Sequence, residues 1–261
     1  MKKLLVVVNK YNDQALDALK CLKEYFVSHN FNYDVYGSWD SDLENQTNVD
    51  NYDLAVVLGG DGTMLRTSHF IASKDTPILG INYGHLGFLT NSVSTGLEKL
   101  VQDALDGKLD KETRSHLLVD VVTDKNSYEF IALNEACVRR SKSGRIVDFS
   151  ININKQHVCD LRSDGVIAST ATGSTAYALA AGGPLVAPSY KGTIIVPLAP
   201  HTLNSRPLVT DVKDVVEFDF TRDAKTDKLA ITIDGVIQKI QGKVLRVTAK
   251  SDKNETTILR Y

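Results

Sequence analysis

The N-terminal part of the sequence alternates between unbroken apolar runs and apolar residues at helical spacing. Leu4–Val8 is continuously apolar, which predicts a strand buried on both faces, as in parallel sheets. Within Asp13–Ser28, apolar residues recur at about three-residue steps, at Leu16, Leu19, Leu22 and Phe26, which predicts a crossover helix. Further strands are predicted over Asn32–Tyr36, Asp53–Leu58 and Pro77–Ile81, and further helices over Leu65–Ala72 and Gly96–Leu105.

Strands that alternate with helices predict an open, Rossmann-like α/β sheet for residues 1–110. After Leu109 the pattern changes to short strands with a single helix at about Thr175–Ala181, which favours a mostly β, sandwich-like domain over residues 111–261. The end of that segment is expected to pack back on the first domain. The predicted strands are Leu117–Val122, Tyr128–Leu133, Val147–Ile153, Gly165–Ser169, Thr193–Val196, Val215–Phe220, Leu229–Ile233, Val244–Thr248 and Thr257–Leu259.

Composition and charge restrict the classes of partner. The chain has 261 residues, enough for two domains, and a formal net charge of −2, so neither nucleic acid nor an anionic membrane surface is an expected partner. The apolar run at Leu4–Val8 is too short for a signal peptide, and no stretch approaches the roughly 20 apolar residues of a membrane helix. We expect a cytoplasmic protein whose Cys21, Cys137 and Cys159 are reduced and structural.

The segment Gly59–Thr63 reads GGDGT and lies where a buried strand gives way to a helix. Glycines at Gly59, Gly60 and Gly62 allow a tight turn and bring backbone N–H groups close to an anion, so a phosphate is expected there. Asp61 would then accept a proton from an attacking hydroxyl or help to hold Mg²⁺. The alternative is an ordinary glycine-rich turn in which Asp61 caps the helix.

GGDGT is the signature of NAD kinases and of diacylglycerol and sphingosine kinases, and phosphofructokinases carry a variant of it. The remainder of this chain resembles NAD kinases, through Gly84–Thr90 (GHLGFLT), Asn134–Glu135, Asp164–Gly165 and Thr170–Tyr177 (TATGSTAY) in the same order. Gly182–Pro184, Ala199–His201 and Arg206–Pro207 extend the resemblance towards the C-terminus.

The resemblance implies a set of nucleotide-binding residues. Asn134 and Glu135 would hold the dinucleotide, Asp164 the nicotinamide amide, and Arg162 would lie near phosphate. The other implied binding residues are Gly59, Gly60, Gly62, Thr63, Arg66, Phe88, Arg145, Thr172, Thr175, Ala176, Tyr177 and Ala199.

Ordinary structural roles compete with these assignments. Arg162 and Asp164 would form a salt bridge with each other, Phe88 would fill a core, and Arg66 would point to solvent. Ser174 is expected to cap a helix that follows the turn. The Asn134–Glu135 pair by itself is equally typical of a strand end.

The function implied is that of an ATP-dependent NAD kinase, which moves the γ-phosphoryl group of ATP to the 2′-hydroxyl of the adenosine ribose of NAD with Asp61 as general base. Mg²⁺ would be carried by ATP rather than by a protein metal site, and the assembly would be a homodimer or homotetramer. Two positions depart from the family pattern: Val236 replaces a glutamine and Ala171 replaces a proline. The alternatives are a lipid kinase and a catalytically silent nucleotide sensor.

Overall fold

The computed structural model describes residues 1–39, 51–71, 75–84, 87–92, 96–141, 146–222 and 229–261. These form two compact units. Unit 1 comprises Met1–Arg114 together with Asn254–Tyr261, and unit 2 comprises Ser115–Lys253. The sequence-based boundary between residues 110 and 111 lies within a strand that begins in unit 1 and continues into unit 2.

Unit 1 contains a parallel sheet with helices. The sheet order is β2-β1-β3-β4, with strands β1 (Lys3–Val8), β2 (Asn32–Gly37), β3 (Leu54–Leu58) and β4 (Ile78–Ile81). The end of the last strand of the chain joins β4 through Ile258 and Ile78, also in parallel. The helices are α1 (Asp13–Ser28), α2 (Asp61–Phe70) and α3 (Leu97–Leu105). The predicted α/β architecture is therefore confirmed.

The buried face of α1 includes the predicted Leu22 and Phe26 but is otherwise different from the predicted one. Asn12 caps the helix, since its Oδ1 accepts a hydrogen bond from the Ala15 amide at 3.0 Å. The fully buried positions are Ala15, Ala18, Leu22 and Phe26, whereas Leu16 and Leu19 are only half-buried. Small alanines let the helix approach the sheet closely, so the larger leucines flank the contact instead of forming its centre.

Unit 2 is a sandwich of two sheets around one apolar core, as predicted for the C-terminal domain. One sheet has the order β12-β11-β10-β7-β14-β15, with all neighbours antiparallel. The other contains β16-β13-β8-β9, with β5 paired to both β16 and β6. Core residues come from both sheets, such as Val138 and Val166 from the first and Phe149 and Phe218 from the second.

The strands β5 to β16 are defined here in chain order: β5 Asp110–Thr123, β6 Ser127–Ala132, β7 Glu135–Arg140, β8 Val147–Ile153, β9 Gln156–Ser163, β10 Gly165–Ser169, β11 Ile194–Leu198, β12 Leu208–Val209, β13 Val216–Asp219, β14 Leu229–Ile233, β15 Val236–Ile237 and β16 Val244–Arg260. Gly173–Thr175 forms a 3₁₀ turn, followed by the one-turn helix α4 (Tyr177–Ala180).

Several elements differ from the sequence prediction. Strands β7 and β9 were not predicted, because β7 begins and ends with charged residues and most β9 side chains are exposed at a sheet edge. The two strands predicted in the C-terminal segment are one continuous strand, β16. Helix α2 begins at Asp61 rather than at the predicted Leu65, because the glycine-rich sequence of its first residues is not typical of a helix. No helix in the described part of the chain is long and apolar enough to cross a membrane.

Candidate functional site

The GGDGT segment forms the turn between β3 and α2 in unit 1. Gly60 is the N-cap of the helix and contributes no side chain to satisfy its first amides. The Gly60 carbonyl accepts from the amides of Thr63 and Met64, at 2.9 and 3.1 Å. A helix start with backbone amides and no side-chain cap is a suitable anion site, because the amides and the helix dipole both favour negative charge.

The glycines of this turn have different structural roles. A Cβ on Gly59 would lie 2.5 Å from Thr63 Oγ1, so packing requires glycine there. A Cβ on Gly62 would meet no described atom within 4 Å, and Gly62 is exposed in the first helical turn. Folding therefore gives no reason for glycine at Gly62, whereas close approach of a ligand to the backbone does.

The carboxylate of Asp61 is fixed by backbone hydrogen bonds. Its Oδ2 accepts from the Phe88 amide at 3.0 Å and its Oδ1 from the Leu89 amide at 3.1 Å. Gly87 permits this contact, since a Cβ there would lie 2.1 Å from Asp61 Oδ1. The helix-cap alternative for Asp61 is wrong, because Gly60 is the N-cap. Each carboxylate oxygen keeps a further lone pair for a ligand.

Two other predicted binding residues of unit 1 have defined surroundings. Phe88 is 62% exposed, so the alternative that it fills a core is wrong. The Arg66 guanidinium carbon lies 3.5 Å from the centroid of the Trp39 ring, in a cation–π contact, so the alternative that Arg66 simply points to solvent is also wrong. Arg145, predicted near the nucleotide, lies outside the described residues, as do His85 and Leu86 of the GHLGFLT segment.

In unit 2, the Asn134–Glu135 pair stands at the start of β7 and is held by Asp234. The Asp234 carboxylate accepts from three consecutive amides, those of Leu133, Asn134 and Glu135, at 2.8, 2.8 and 2.9 Å. Asp234 follows β14 with a positive φ of 47°, and its own amide donates to the Glu135 carbonyl at 2.9 Å. Three charge-assisted hydrogen bonds fix the backbone of the pair.

The side chain of Glu135 is buried in a position that is unfavourable for a carboxylate. The residue is 6% exposed, and its buried Oε2 has no hydrogen-bond partner within the described residues. Burial and then the nearby Asp234 charge raise the pKa of Glu135 to about 7, against a smaller lowering by the Tyr177 amide. A buried carboxylate oxygen without a donor is unfavourable. A ligand hydroxyl or amino group would satisfy it.

The TATGSTAY segment packs directly on this pair. Thr170 donates to the Leu133 carbonyl through Oγ1 at 2.6 Å and to the Asn134 carbonyl through its amide at 2.8 Å. A Cβ on Gly173 would lie 2.2 Å from the Asn134 carbonyl oxygen, so only glycine allows this approach. The Tyr177 amide is hydrogen-bonded to the Glu135 carboxylate. The structure therefore brings Asn134, Glu135 and Tyr177 together.

Hydroxyl groups of the same segment hold its own backbone. Thr175 Oγ1 donates to the Thr172 carbonyl at 3.1 Å, and Ser174 Oγ donates to the Ala171 carbonyl at 2.6 Å. The expectation that Ser174 caps a helix is wrong, because Ala176 is the N-cap of α4 and makes no side-chain cap bond. Thr172 is buried, and Thr175 and Ala176 are half-buried.

Arg162 and Asp164 form ion pairs with other residues rather than with each other. Arg162 lies 3.6 Å from Asp148, and Asp164 lies 3.1 Å from Arg140, so the predicted bridge between them is wrong. Arg162 belongs to β9, whereas Asp164 lies at the bend between β9 and β10. Asp164 lines a cleft of about 710 Å³ in unit 2, with Arg139, Arg140, Tyr177, Ala199 and Ile237 among its other lining residues.

The departures from the family pattern have local consequences. Val236 is exposed and offers no hydrogen-bonding side chain. The nearby Gln238 bonds locally, since its Nε2 donates to the Val236 carbonyl at 3.0 Å. Ala171, the second residue of the TATGSTAY segment, is buried. In the described ranges, no group of three His, Cys, Asp or Glu residues is arranged to hold a metal ion.

Asp234 has a role that the sequence did not reveal. The Asp-Gly pair at Asp234–Gly235, where both residues have positive φ, is a signal for a tight turn between two strands. Nothing in the sequence shows that the Asp234 carboxylate turns towards amides about 100 positions earlier.

Comparison with known proteins identifies relatives of both halves of the chain. The family model of the ATP-NAD kinase N-terminal domain matches residues 4–109, and that of the C-terminal domain matches residues 133–259. An NAD kinase of Legionella pneumophila (strain Corby) is 38% identical over 80% of this chain and 71% of its own length. An NAD kinase of Lachnoclostridium phytofermentans is 33% identical over 100% of this chain and 94% of its own.

Two solved structures share the fold. Yeast NADH kinase in complex with NADH superposes with a TM-score of 0.84 and 21% identity, covering 100% of this chain and 84% of that one. An NAD kinase from Archaeoglobus fulgidus in complex with ATP gives a TM-score of 0.77 and 24% identity, covering 99% of this chain and 93% of that one.

Proposed function

Because this chain belongs to the NAD kinase family and is a kinase that phosphorylates NAD to NADP, we propose specific roles for its residues in that reaction. Asp61 is the general base that accepts the proton of the 2′-hydroxyl, and the turn at Gly59–Thr63 holds the phosphates of ATP. The observation that carries this proposal is the Asp61 carboxylate, fixed by two backbone amides at the start of a helix.

Fixing the carboxylate supports a role in catalysis. Phosphoryl transfer depends mainly on positioning and charge neutralisation, so a base held in one orientation avoids the cost of ordering it during the reaction. The lone pairs that remain are available to the attacking hydroxyl.

The nucleoside part of NAD is assigned to residues of unit 2. Glu135 accepts a hydrogen bond from a ribose hydroxyl at its unpartnered Oε2, and Asn134 and Tyr177 add amide and aromatic contacts beside it. Asp164, Ala199 and Tyr177 line the cleft in this unit. Thr172, Thr175 and Ala176 are assigned to the same site, where the Thr175 hydroxyl supports the backbone of the segment by donating to the Thr172 carbonyl.

Mg²⁺ is assigned to the phosphates of ATP. Mg²⁺ usually keeps several waters and is bound through substrate phosphates rather than by an all-protein cage. When bound, Mg²⁺ neutralises charge on the transferred phosphoryl group. Asp61 would supply a fixed carboxylate at the turn beside the bound phosphates.

A coupled assay of NADP formation from NAD and Mg-ATP tests the proposal. Asp61→Asn keeps the shape of the side chain but removes the base, so kcat should fall on the order of 10²- to 10⁴-fold while NAD affinity is largely retained. Asp17→Asn, on the exposed face of α1, is the control and should retain normal turnover. Near-native turnover of Asp61→Asn would show that Asp61 is only a turn residue.

A further inference from the structure

Arg260, near the end of β16, binds the segment that fixes Asp61. Its guanidinium group donates to the Phe88 carbonyl and, at 3.2 Å, to the Thr90 carbonyl. Its Nε donates to Glu112 Oε2 at 2.6 Å. Two backbone carbonyls and one carboxylate are therefore bound by one planar side chain, all within unit 1.

Phe88 is bonded at both of its backbone groups. Its amide donates to Asp61, and its carbonyl accepts from Arg260. Leu89 adds the second amide to Asp61, and the Thr90 carbonyl accepts the second hydrogen bond from Arg260. A displacement of Phe88–Thr90 would move the two amides that orient the Asp61 carboxylate.

Charge balance keeps the guanidinium in this place. Glu112 contacts Arg260 at 2.6 Å and the buried Arg114 at 2.8 Å. Burial raises the pKa of Glu112, but the hydrogen bond from Arg260 and the charges of both arginines outweigh burial and hold the pKa below its usual value. An ionised Glu112 balances one of the two positive charges and anchors Arg260 through its Nε.

The backbone at Arg260 is held independently of its side chain. Asn91 Nδ2 donates to the Leu259 carbonyl at 2.9 Å, and its Oδ1 accepts from the Tyr261 amide at 3.1 Å. Ile258 pairs with Ile78 of β4. A substitution of the Arg260 side chain therefore leaves the path of the strand supported on both sides of the residue.

We propose that Arg260 is a positioning residue for the reaction: it holds Phe88–Thr90 so that the Phe88 and Leu89 amides keep Asp61 in its reactive orientation. The inference rests on the proposed role of Asp61 as general base. Lysine cannot substitute fully, because a single ammonium group lacks the planar fork that reaches two carbonyls and a carboxylate together.

The first test compares steady-state kinetics of Arg260→Met and Arg260→Lys. Misplacement of a catalytic group by about 1 Å can cost up to about 10²-fold in rate. We therefore expect kcat of Arg260→Met to fall roughly 10- to 100-fold and that of Arg260→Lys to fall less, with KM for NAD and ATP within about threefold of normal. Arg246→Met is the matched control, since Arg246 lies on the same strand and its ion pair is a 3.9 Å contact with Glu217.

The second test is a double-mutant cycle with Asp61→Asn, measured in single turnovers at high enzyme concentration. If Arg260 acts through Asp61, Arg260→Met should cost less than about threefold in the Asp61→Asn background. An equal loss in both backgrounds, a loss confined to KM, or unchanged kcat in both Arg260 variants would overturn the inference. Should Arg260→Met fail to fold, the same cycle with Arg260→Lys decides. Failure of the proposed function is distinct, since Asp61→Asn alone would then turn over normally.

Discussion

Gly62 and Glu135 each have a feature that folding does not require. Gly62 leaves open space above the first turn of α2, where alanine would suit the helix better. Glu135 carries a carboxylate into a buried position beside the charge of Asp234 and leaves one oxygen unpartnered. Conflicts of this kind between local preference and structure are expected at functional sites, which gives each residue a measurable signature.

Gly62→Ala should stabilise the protein and reduce its activity. Alanine is favoured over glycine in a helix by up to about 1 kcal/mol, and no described atom within 4 Å opposes the new methyl group. The same methyl group would stand where the phosphates of ATP approach, so KM for ATP should rise at least about tenfold. Thermal melting and steady-state kinetics measure the two effects. Gly59→Ala is the contrast, because its clash with Thr63 should lower the melting temperature.

Glu135→Gln should stabilise the protein at alkaline pH. The folded-state pKa of about 7 lies above the ordinary value of 4.5, so the folded protein retains a proton that the unfolded chain releases. Stability is therefore lost as pH rises from 4.5 to 7, and the full cost, up to about 3 kcal/mol, applies above pH 7. Melting curves should show Glu135→Gln more stable than the parent at pH 8 and equal to it near pH 4.5. Glu129 is exposed, so Glu129→Gln should not gain stability over the parent between pH 4.5 and pH 8.

The same substitution should weaken NAD binding. Loss of a charged acceptor for a ribose hydroxyl is expected to cost about 1 to 3 kcal/mol, measured by calorimetric titration at pH 8. Tyr177→Ala should cost a similar amount through lost aromatic contact. Unchanged NAD affinity in both variants would contradict the assignment of the nucleoside site to unit 2 but would leave the role of Asp61 untouched.

At the scale of elements, the turn between β14 and β15 orients the start of β7. The carboxylate of Asp234 binds three amides at the entry to that strand, and the TATGSTAY segment packs on the other side of Asn134 through Thr170 and Gly173. The candidate nucleoside site thus depends on a turn, a strand start and a 3₁₀ turn that are far apart in sequence. The turn is the simplest of the three to perturb.

Asp234→Asn should weaken NAD binding without changing the fold. Asparagine tolerates the positive φ of this turn, so the backbone is preserved while a charged acceptor of three amides becomes a neutral one. We expect NAD affinity to fall about 3- to 30-fold with unchanged circular dichroism. Asp211→Asn is the control, because Asp211 accepts one amide, that of Lys213, in an exposed turn. Equal NAD affinity in parent and Asp234→Asn would mean that the start of β7 keeps its position without the charge of Asp234.

At the scale of the whole molecule, we expect a homodimer or homotetramer. Strands β9 and β12 end their sheets in the described part of unit 2, and open strand edges favour pairing or cover. Val158 on β9 and Val209 on β12 are large exposed apolar residues. An interface between copies would bury both the open strand edges and these exposed valines. Such assemblies usually have closed symmetry.

Multi-angle light scattering at micromolar concentration should give a mass at least twice the 28.7 kDa of the chain. Val158→Glu should reduce that mass, because it places a charge at the open edge of β9. Val27→Glu, on the exposed face of α1, adds the same charge elsewhere and should leave the mass unchanged. A monomer in the parent protein would contradict the expected assembly.

The sequence by itself determined the class of fold and predicted a phosphate-binding role for the glycine-rich turn. Unbroken apolar strands, helical spacing and GGDGT at the end of β3 are local signals, since each is set by neighbouring residues. For the same reason, the bounds of α1 and of β8, β10 and β14 agree with those predicted. The apolar pattern that predicts a strand was weak where strands have charged ends or lie exposed at a sheet edge, as in β7 and β9.

Only the tertiary structure decided which groups meet. Asp61 contacts amides 27 and 28 positions away, Asp234 contacts amides about 100 positions away, and Arg260 contacts a carbonyl 172 positions away. The raised pKa of Glu135 likewise arises from burial and from the distant Asp234. Sequence patterns report which face of an element is apolar, whereas hydrogen bonds and burial between distant segments depend on how the strands and turns are brought together, and no local pattern encodes that arrangement.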